Sequence, residues 1–143
     1  MTRHWIGSVV AVMAAVCAAN AAQAQGTDIG KNEFLRSCAS CHGATGKGDG
    51  YVAKALIKRP PDLTKLSQTN DGVFPFSRIY DTIDGRVEVI AHGPREMPVW
   101  GDFYVREWNA GLPPTLASKE IAESVMRVRI LALIEYIASL QGK

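Results

Sequence analysis

The chain has 143 residues and a formal net charge of +2. That length suits a single domain, and a charge so near zero argues against a nucleic-acid-binding protein, which needs a strong local excess of Lys and Arg. With 47% hydrophobic and 21% charged residues, the composition is that of a globular protein and not of a disordered one.

The first 24 residues have the pattern of an export signal. A basic start leads into an apolar run from Trp5 to Ala19, and the string Ala-Gln-Ala over 22–24 matches a small-x-small cleavage site. The run is shorter than the roughly 20 residues that span a bilayer. We predict a signal peptide over 1–24, a mature domain over 25–143 and a periplasmic protein. An uncleaved anchor facing the periplasm is the alternative.

Helices dominate the predicted structure of the mature chain. The first runs from about Ile29 into Cys38, with Phe34 and Leu35 on its apolar side. Four glycines make residues 43–50 a loop. No segment alternates apolar and polar residues convincingly enough to indicate a sheet. The pattern therefore favours an all-α fold.

Three further helices follow the glycine-rich loop. Residues 51–58 are predicted as a short helix stopped by two prolines, and residues 76–84 as another that Gly85 closes. The last helix begins after Ser118, which can cap its N-terminus. Apolar residues at spacings of four and three define its buried stripe, namely Met126, Ile130, Leu133, Ile137 and Leu140.

The string Cys38-Ala39-Ser40-Cys41-His42 carries the chemistry of this chain. A Cys-x-x-Cys-His string is the attachment pattern of c-type haem. Its two thiols can reach both vinyl groups of one haem, and His42 can supply the proximal nitrogen to the iron. One covalently attached haem c is therefore predicted.

A second axial ligand is sought among the four methionines of the chain. Two lie in the export signal and Met126 belongs to the core stripe, which leaves Met97. Pro98 restricts Met97 to an extended backbone, which suits a side chain held out from a rigid loop. His92, five residues earlier, is the competing ligand.

These features resemble the class I c-type cytochromes, the bacterial monohaem cytochromes c. The likeness rests on the haem string and on three further motifs, namely Gly30-x3-Phe34-x3-Cys38, Pro61-Asp62-Leu63 and Met97-Pro98-Val99-Trp100-Gly101. It implies a cytochrome c fold in which short helices and loops surround one covalent haem. The N- and C-terminal helices would cross with Gly30 and Phe34 against Leu133 and Tyr136.

The resemblance also assigns roles around the haem. The Pro61 carbonyl would accept a hydrogen bond from His42, Met97 would bind the iron, and Trp100 would lie among the residues that hold the cofactor. Residues 102–117 depart from the compact members as a long connection, and residues 43–60 are also extended.

Filled axial positions predict an electron carrier and not an enzyme, because His42 and Met97 leave the iron no open site. The expected partners are redox proteins of a respiratory chain: a dehydrogenase or quinol-oxidising complex as donor, and an oxidase or reductase as acceptor. Membrane contact would be transient docking unless the anchor remains. Seven basic residues either form a docking rim or are scattered over the surface, namely Lys47, Lys54, Lys58, Arg59, Lys65, Arg86 and Arg95.

Three other functions stay open on the sequence. A haem enzyme or gas sensor would need an open distal position. A thioredoxin-like pair at Cys38 and Cys41 would need a βαβ context and leaves His42 without a role. A zinc site could draw on the same three residues and His92, although adjacent ligands suit a tetrahedral site poorly.

Overall fold

A computed structural model describes residues 28–86, 97–113, 115 and 117–142. Its elements in chain order are α1 (28–37 in its described part), α2 (Ala39–His42), α3 (Phe76–Asp84), α4 (Trp100–Ala110) and α5 (Lys119–Ser139), with 3-10 turns at Ala53–Ala55, Leu63–Lys65 and Gln68–Asn70. These ranges contain no strand, and the predicted all-α class is confirmed. The predicted export segment and His92 lie outside them.

Helix α5 is the centre of the fold. It is 21 residues long, and Ser118 caps it as predicted, because its side chain accepts a hydrogen bond from the Ile121 N–H at 3.4 Å. The predicted stripe is buried at Met126, Ile130, Leu133 and Ile137. Leu140 lies just past the helix end, partly buried against the same core.

The core forms where three helices pack on one another. Helices α3 and α4 both pack against α5 and against each other. Its largest fully buried side chains are Tyr104, Phe34, Met126, Ile130, Leu133 and Ile134. Burial of a large apolar side chain stabilises the fold by about 1.5–3 kcal/mol.

Helix α1 crosses α5 at Gly30. A Cβ at position 30 would overlap the carbonyl of Ala132 and lie 3.0 Å from the Cβ of Tyr136. One turn later the rings of Phe34 and Tyr136 meet with centroids 5.3 Å apart. The predicted crossing is confirmed at Gly30, Phe34 and Tyr136, although the backbone that Gly30 meets is that of Ala132 and not of the predicted Leu133. The predicted burial of Leu35 is wrong, because this neighbour of Phe34 faces outward and is 43% exposed.

Helix α4 is the main departure from expectation, because residues 102–117 were predicted as a connection. Residues 100–110 form a helix that buries Tyr104 completely and packs on α5. Trp100, Tyr104 and Trp108 recur at a spacing of four, which is a helical period. That period is the signal from which α4 could have been predicted.

The predicted helix over 51–58 is also wrong, since only the 3-10 turn Ala53–Ala55 forms there. The Val52 N–H bonds the carbonyl of Ser40 at 2.9 Å, and the Gly50 N–H bonds Cys41 at 3.1 Å. The start of the segment is thus hydrogen-bonded to α2. The residues between Val52 and the two prolines at 60 and 61 are too few to nucleate a stable helix.

Candidate functional site

The Cys-x-x-Cys-His string folds as a single helical turn. The N–H groups of Cys41 and His42 both bond the carbonyl of Cys38, at 3.1 and 2.9 Å. Residues three and four apart lie on one face of a helix, so this turn directs Cys38, Cys41 and His42 to the same side. Both thiols are free. The turn therefore presents two thiols and an imidazole to one ligand.

The glycine-rich loop folds back over that turn. Gly43 ends α2 with φ of 78°, a value that L side chains rarely adopt. Two residues of the loop then return to the turn, where the Gly48 N–H bonds the His42 carbonyl at 2.8 Å and the Gly50 N–H bonds Cys41. A Cβ at Gly50 would lie 2.6 Å from the backbone of Cys41. Glycine is needed here because two stretches of backbone are in contact.

Pro61 lies beside the same loop. A Cβ at Gly48 would be 3.3 Å from the Pro61 carbonyl oxygen, and the Leu63 N–H bonds the Gly46 carbonyl at 2.7 Å. The Gln141 amide donates to the Leu63 carbonyl at 2.7 Å. The proline segment is thus fixed both to the loop after His42 and to the end of α5.

His42 is a mostly buried imidazole. Burial lowers its pKa, and an interaction with the Pro61 backbone partly opposes that effect. Nδ1 has no hydrogen bond of ordinary geometry among the described residues, so the contact with Pro61 is longer or less well aligned than a normal bond. A His with a lowered pKa is neutral at pH 7, and its lone pair is available to a metal.

Met97 and Trp100 contact the core from the segment that leads into α4. Both are partly buried, and both pack against the same hydrophobic cluster that Cys38 contacts. The Trp100 ring lies edge-on to Phe103 at 5.4 Å and 5.9 Å from the ring of Tyr104. The loop that carries the candidate distal ligand is therefore attached to the core through the first turn of α4.

The Cys38 thiol lies close enough to the carboxylate of Glu33 to be affected by its charge. Burial raises the pKa of Cys38 to about 12, and the negative charge of Glu33 adds to that rise. Glu33 is itself unusual, because its side chain is only 10% exposed. A carboxylate with so little water contact is expected to be hydrogen-bonded.

Glu33 is the principal residue that sequence reasoning missed. It accepts hydrogen bonds from the Tyr104 hydroxyl at 3.0 Å, from Ser37 at 2.7 Å and from Arg36 at 2.9 Å. Arg36 and Ser37 follow it on α1 and resemble an ordinary solvated face. Tyr104 comes from α4, 71 positions away, and no local pattern indicates that contact.

The basic residues do not all belong to one rim. Arg86 pairs with Asp84 at 2.6 Å and with Glu123 at 2.7 Å, so it connects the end of α3 to α5. Lys65 lies 4.0 Å from Asp62. Arg95 is outside the described residues. Lys47, Lys54, Lys58 and Arg59 are exposed on or beside the segment that follows residues 38–42, which we call the haem-type turn.

The donor set fits a covalent haem better than a bare metal ion. In the described part of the chain no three His, Cys, Asp or Glu side chains are grouped so as to hold a metal. Two free thiols on one face with a neutral imidazole are instead what a porphyrin needs, since it supplies four nitrogens itself. A thioredoxin-like context is also missing from these ranges, which hold no strand.

Over the described residues, no helix combines the length and the apolar character that a membrane span requires. In a comparison with known families, residues 25–110 fit the family model described as cytochrome c oxidase, cbb3-type, subunit III. Neither the curated proteins nor the solved structures gave a match.

Proposed function

The chain belongs to the cbb3-type cytochrome c oxidase subunit III family of c-type cytochrome domains, and on that basis we propose that it is a periplasmic carrier of single electrons. Membership of this family implies covalently attached haem c with its iron, as predicted, and a role in electron transfer with redox proteins. Haem iron supplies the one-electron couple. The observation that carries the proposal is the haem-type turn with its free thiols and neutral imidazole.

We place the two thioether bonds at Cys38 and Cys41 and the proximal ligand at His42. The glycine-rich loop fixes this turn through backbone hydrogen bonds, and the Pro61 segment packs against that loop. Pro61 would orient the imidazole, since a carbonyl that accepts the second ring N–H determines the ring's plane and raises its basicity. The contact between Pro61 and His42 supports this role.

Met97 is proposed as the distal ligand, with Trp100 next to it in the cofactor pocket. Both contact the cluster that Cys38 also contacts, which supports placing them on the same cofactor. A thioether is a soft, neutral donor that favours ferrous iron and raises the reduction potential. Two protein ligands leave no coordination position for a substrate, which favours a carrier over an oxygen- or peroxide-consuming enzyme.

Export is proposed from the signal over 1–24, and the family match begins directly after it, at residue 25. We expect the mass of the denatured mature protein to equal that of residues 25–143 plus one haem, or slightly less if Gln25 cyclises. Mass spectrometry of the intact protein measures both features at once. A chain that retains Met1 would indicate an anchor, and haem lost on denaturation would contradict covalent attachment.

The carrier role is tested by the reactions of the reduced protein. We expect it to be oxidised rapidly by membranes that contain a terminal oxidase, and to bind carbon monoxide or consume peroxide only slowly on its own. Its proposed donor is a quinol-oxidising complex or a dehydrogenase. If exposed lysines such as Lys47 and Lys54 steer docking, the oxidation rate falls as salt rises, because screening shortens electrostatic attraction to about 8 Å at physiological ionic strength.

Turnover of peroxide or a small substrate at rates typical of enzymes, with Met97 intact, would contradict the carrier role. Fast carbon monoxide binding by the native protein would instead indicate an open distal position and a gas sensor. A rate of oxidation that does not change with salt would leave the carrier role in place but remove the basic docking surface.

A further inference from the structure

Glu33 belongs to a polar network that joins three helices next to the haem-type turn. We use the name Glu33 network for Glu33, Arg36, Tyr104, Glu107 and Arg129. Arg36 bonds Glu33 at 2.9 Å and Glu107 at 3.2 Å, and Arg129 of α5 pairs with Glu107. The Arg129 guanidinium also lies over the Tyr104 ring, 5.2 Å from its centroid.

The two carboxylates of this network differ in their surroundings. The Glu107 side chain is 34% exposed and lies between two arginines. Glu33 is 10% exposed and is directed inward toward Tyr104, which is fully buried. Charges screened by water act weakly at a distance, whereas a charge in a poorly hydrated site acts strongly. Of the two, Glu33 is therefore the one whose field reaches the interior.

The position of Glu33 directs that field toward Cys38. Ser37, which donates to Glu33, is the residue before Cys38, and Cys38 packs against the cluster that contains Tyr104. The negative charge of Glu33 also contributes to the raised pKa of both the Cys38 thiol and the Tyr104 hydroxyl. Glu33, Tyr104 and Cys38 thus lie close enough together to interact electrostatically.

We propose that Glu33 lowers the reduction potential of the haem, by holding a negative charge with little water contact near the proposed thioether position at Cys38. Tyr104, Ser37 and Arg36 keep the carboxylate in place. Reduction adds one electron, delivered by a partner redox protein, and removes one positive charge from the iron. A nearby negative charge stabilises the oxidised state more than the reduced one, so it opposes this step. The inference rests on the proposed attachment of haem at Cys38.

The test is redox titration of the purified haem protein and its Glu33→Gln variant, which removes the charge and keeps the size and most hydrogen bonds. We expect the ferrous-to-ferric ratio at a fixed ambient potential to rise roughly threefold to tenfold. A tenfold rise corresponds to about 59 mV for one electron. Glu107→Gln is the matched control, because it removes the same charge from the more exposed carboxylate and should change the ratio far less.

Glu33→Asp keeps the charge but shortens the side chain, so its potential should stay near that of the wild type even if its stability falls. If Glu33→Gln does not fold, Arg36→Gln takes its place. Loss of the cation that bonds Glu33 at 2.9 Å leaves the carboxylate charge less compensated, so the ferrous-to-ferric ratio should fall, and an unchanged ratio would overturn the inference. An unchanged potential in Glu33→Gln, an equal shift in Glu107→Gln, or a shift in Glu33→Asp as large as that expected for Glu33→Gln would overturn the inference. Haem staining of each denatured variant separates these outcomes from failure of the proposed function, which would appear as a wild-type chain without covalent haem.

Discussion

Replacing Met97 by alanine is expected to open the sixth coordination position of the haem iron. The ferric protein should lose the weak far-red absorption band of methionine ligation, and the reduced protein should bind carbon monoxide readily. The potential should fall by an amount on the order of 0.1–0.3 V, within the ~0.8 V range that axial ligands cover. Absorption spectra and redox titration of the purified variant measure all three changes.

Two controls separate ligation from packing, because Met97 also contacts the hydrophobic core. Met97→Leu restores apolar volume without a sulfur donor, so it should behave like Met97→Ala in the spectrum and in carbon monoxide binding. Met126→Leu changes a fully buried methionine elsewhere in the core and should leave the far-red band intact. If Met97→Ala has a native spectrum while His92→Ala alters it, His92 is the ligand.

Replacing Gly30 by valine should destabilise the protein by a few kcal/mol. Even a single Cβ at this position overlaps the Ala132 carbonyl, which is helix backbone and cannot rotate away as a side chain could. Overpacking of this kind typically costs about 1–3 kcal/mol, and the valine methyl groups add to the overlap with Tyr136. The free energy of unfolding by denaturant, measured on the haem protein, is the appropriate quantity.

Gly111→Ala is the matched control for that substitution. A Cβ at Gly111 would lie 3.6 Å from the Trp108 carbonyl, an ordinary contact, and its φ of −84° is accessible to any residue. We expect this variant to be as stable as the wild type, or slightly more stable. Equal stability of Gly30→Val and the wild type would mean that α1 and α5 do not pack as described.

The parts of the fold that depend on local pattern were predictable. Ser118 and the stripe of α5 define a helix by capping and period, and Gly30 marks the close approach to α5 because only glycine fits there. Helix α4 was missed although Trp100, Tyr104 and Trp108 follow a helical period. Gly101 within its first turn and the two prolines at 113 and 114 instead favour a connection on local pattern.

The candidate site was also predictable only in part. The positions of Cys38, Cys41 and His42 on one turn follow from their spacing alone. The environment of Cys38 does not, because it depends on Glu33 and on Tyr104, which α4 brings to the site from far along the chain. A carboxylate with little water contact, on a helix face whose neighbouring residues are exposed, has no sequence signature, since its partners are set by tertiary packing.

The hydrogen bonds between the glycine-rich loop and the haem-type turn also affect local stability. The N–H groups of Gly48, Gly50 and Val52 bond the successive carbonyls of His42, Cys41 and Ser40. Neither segment can open without breaking the hydrogen bonds of the other, so the two should exchange their amide protons with solvent as one cooperative unit. A fluctuation that releases the loop would therefore also release the backbone that carries both proposed thioether positions and the proposed proximal imidazole.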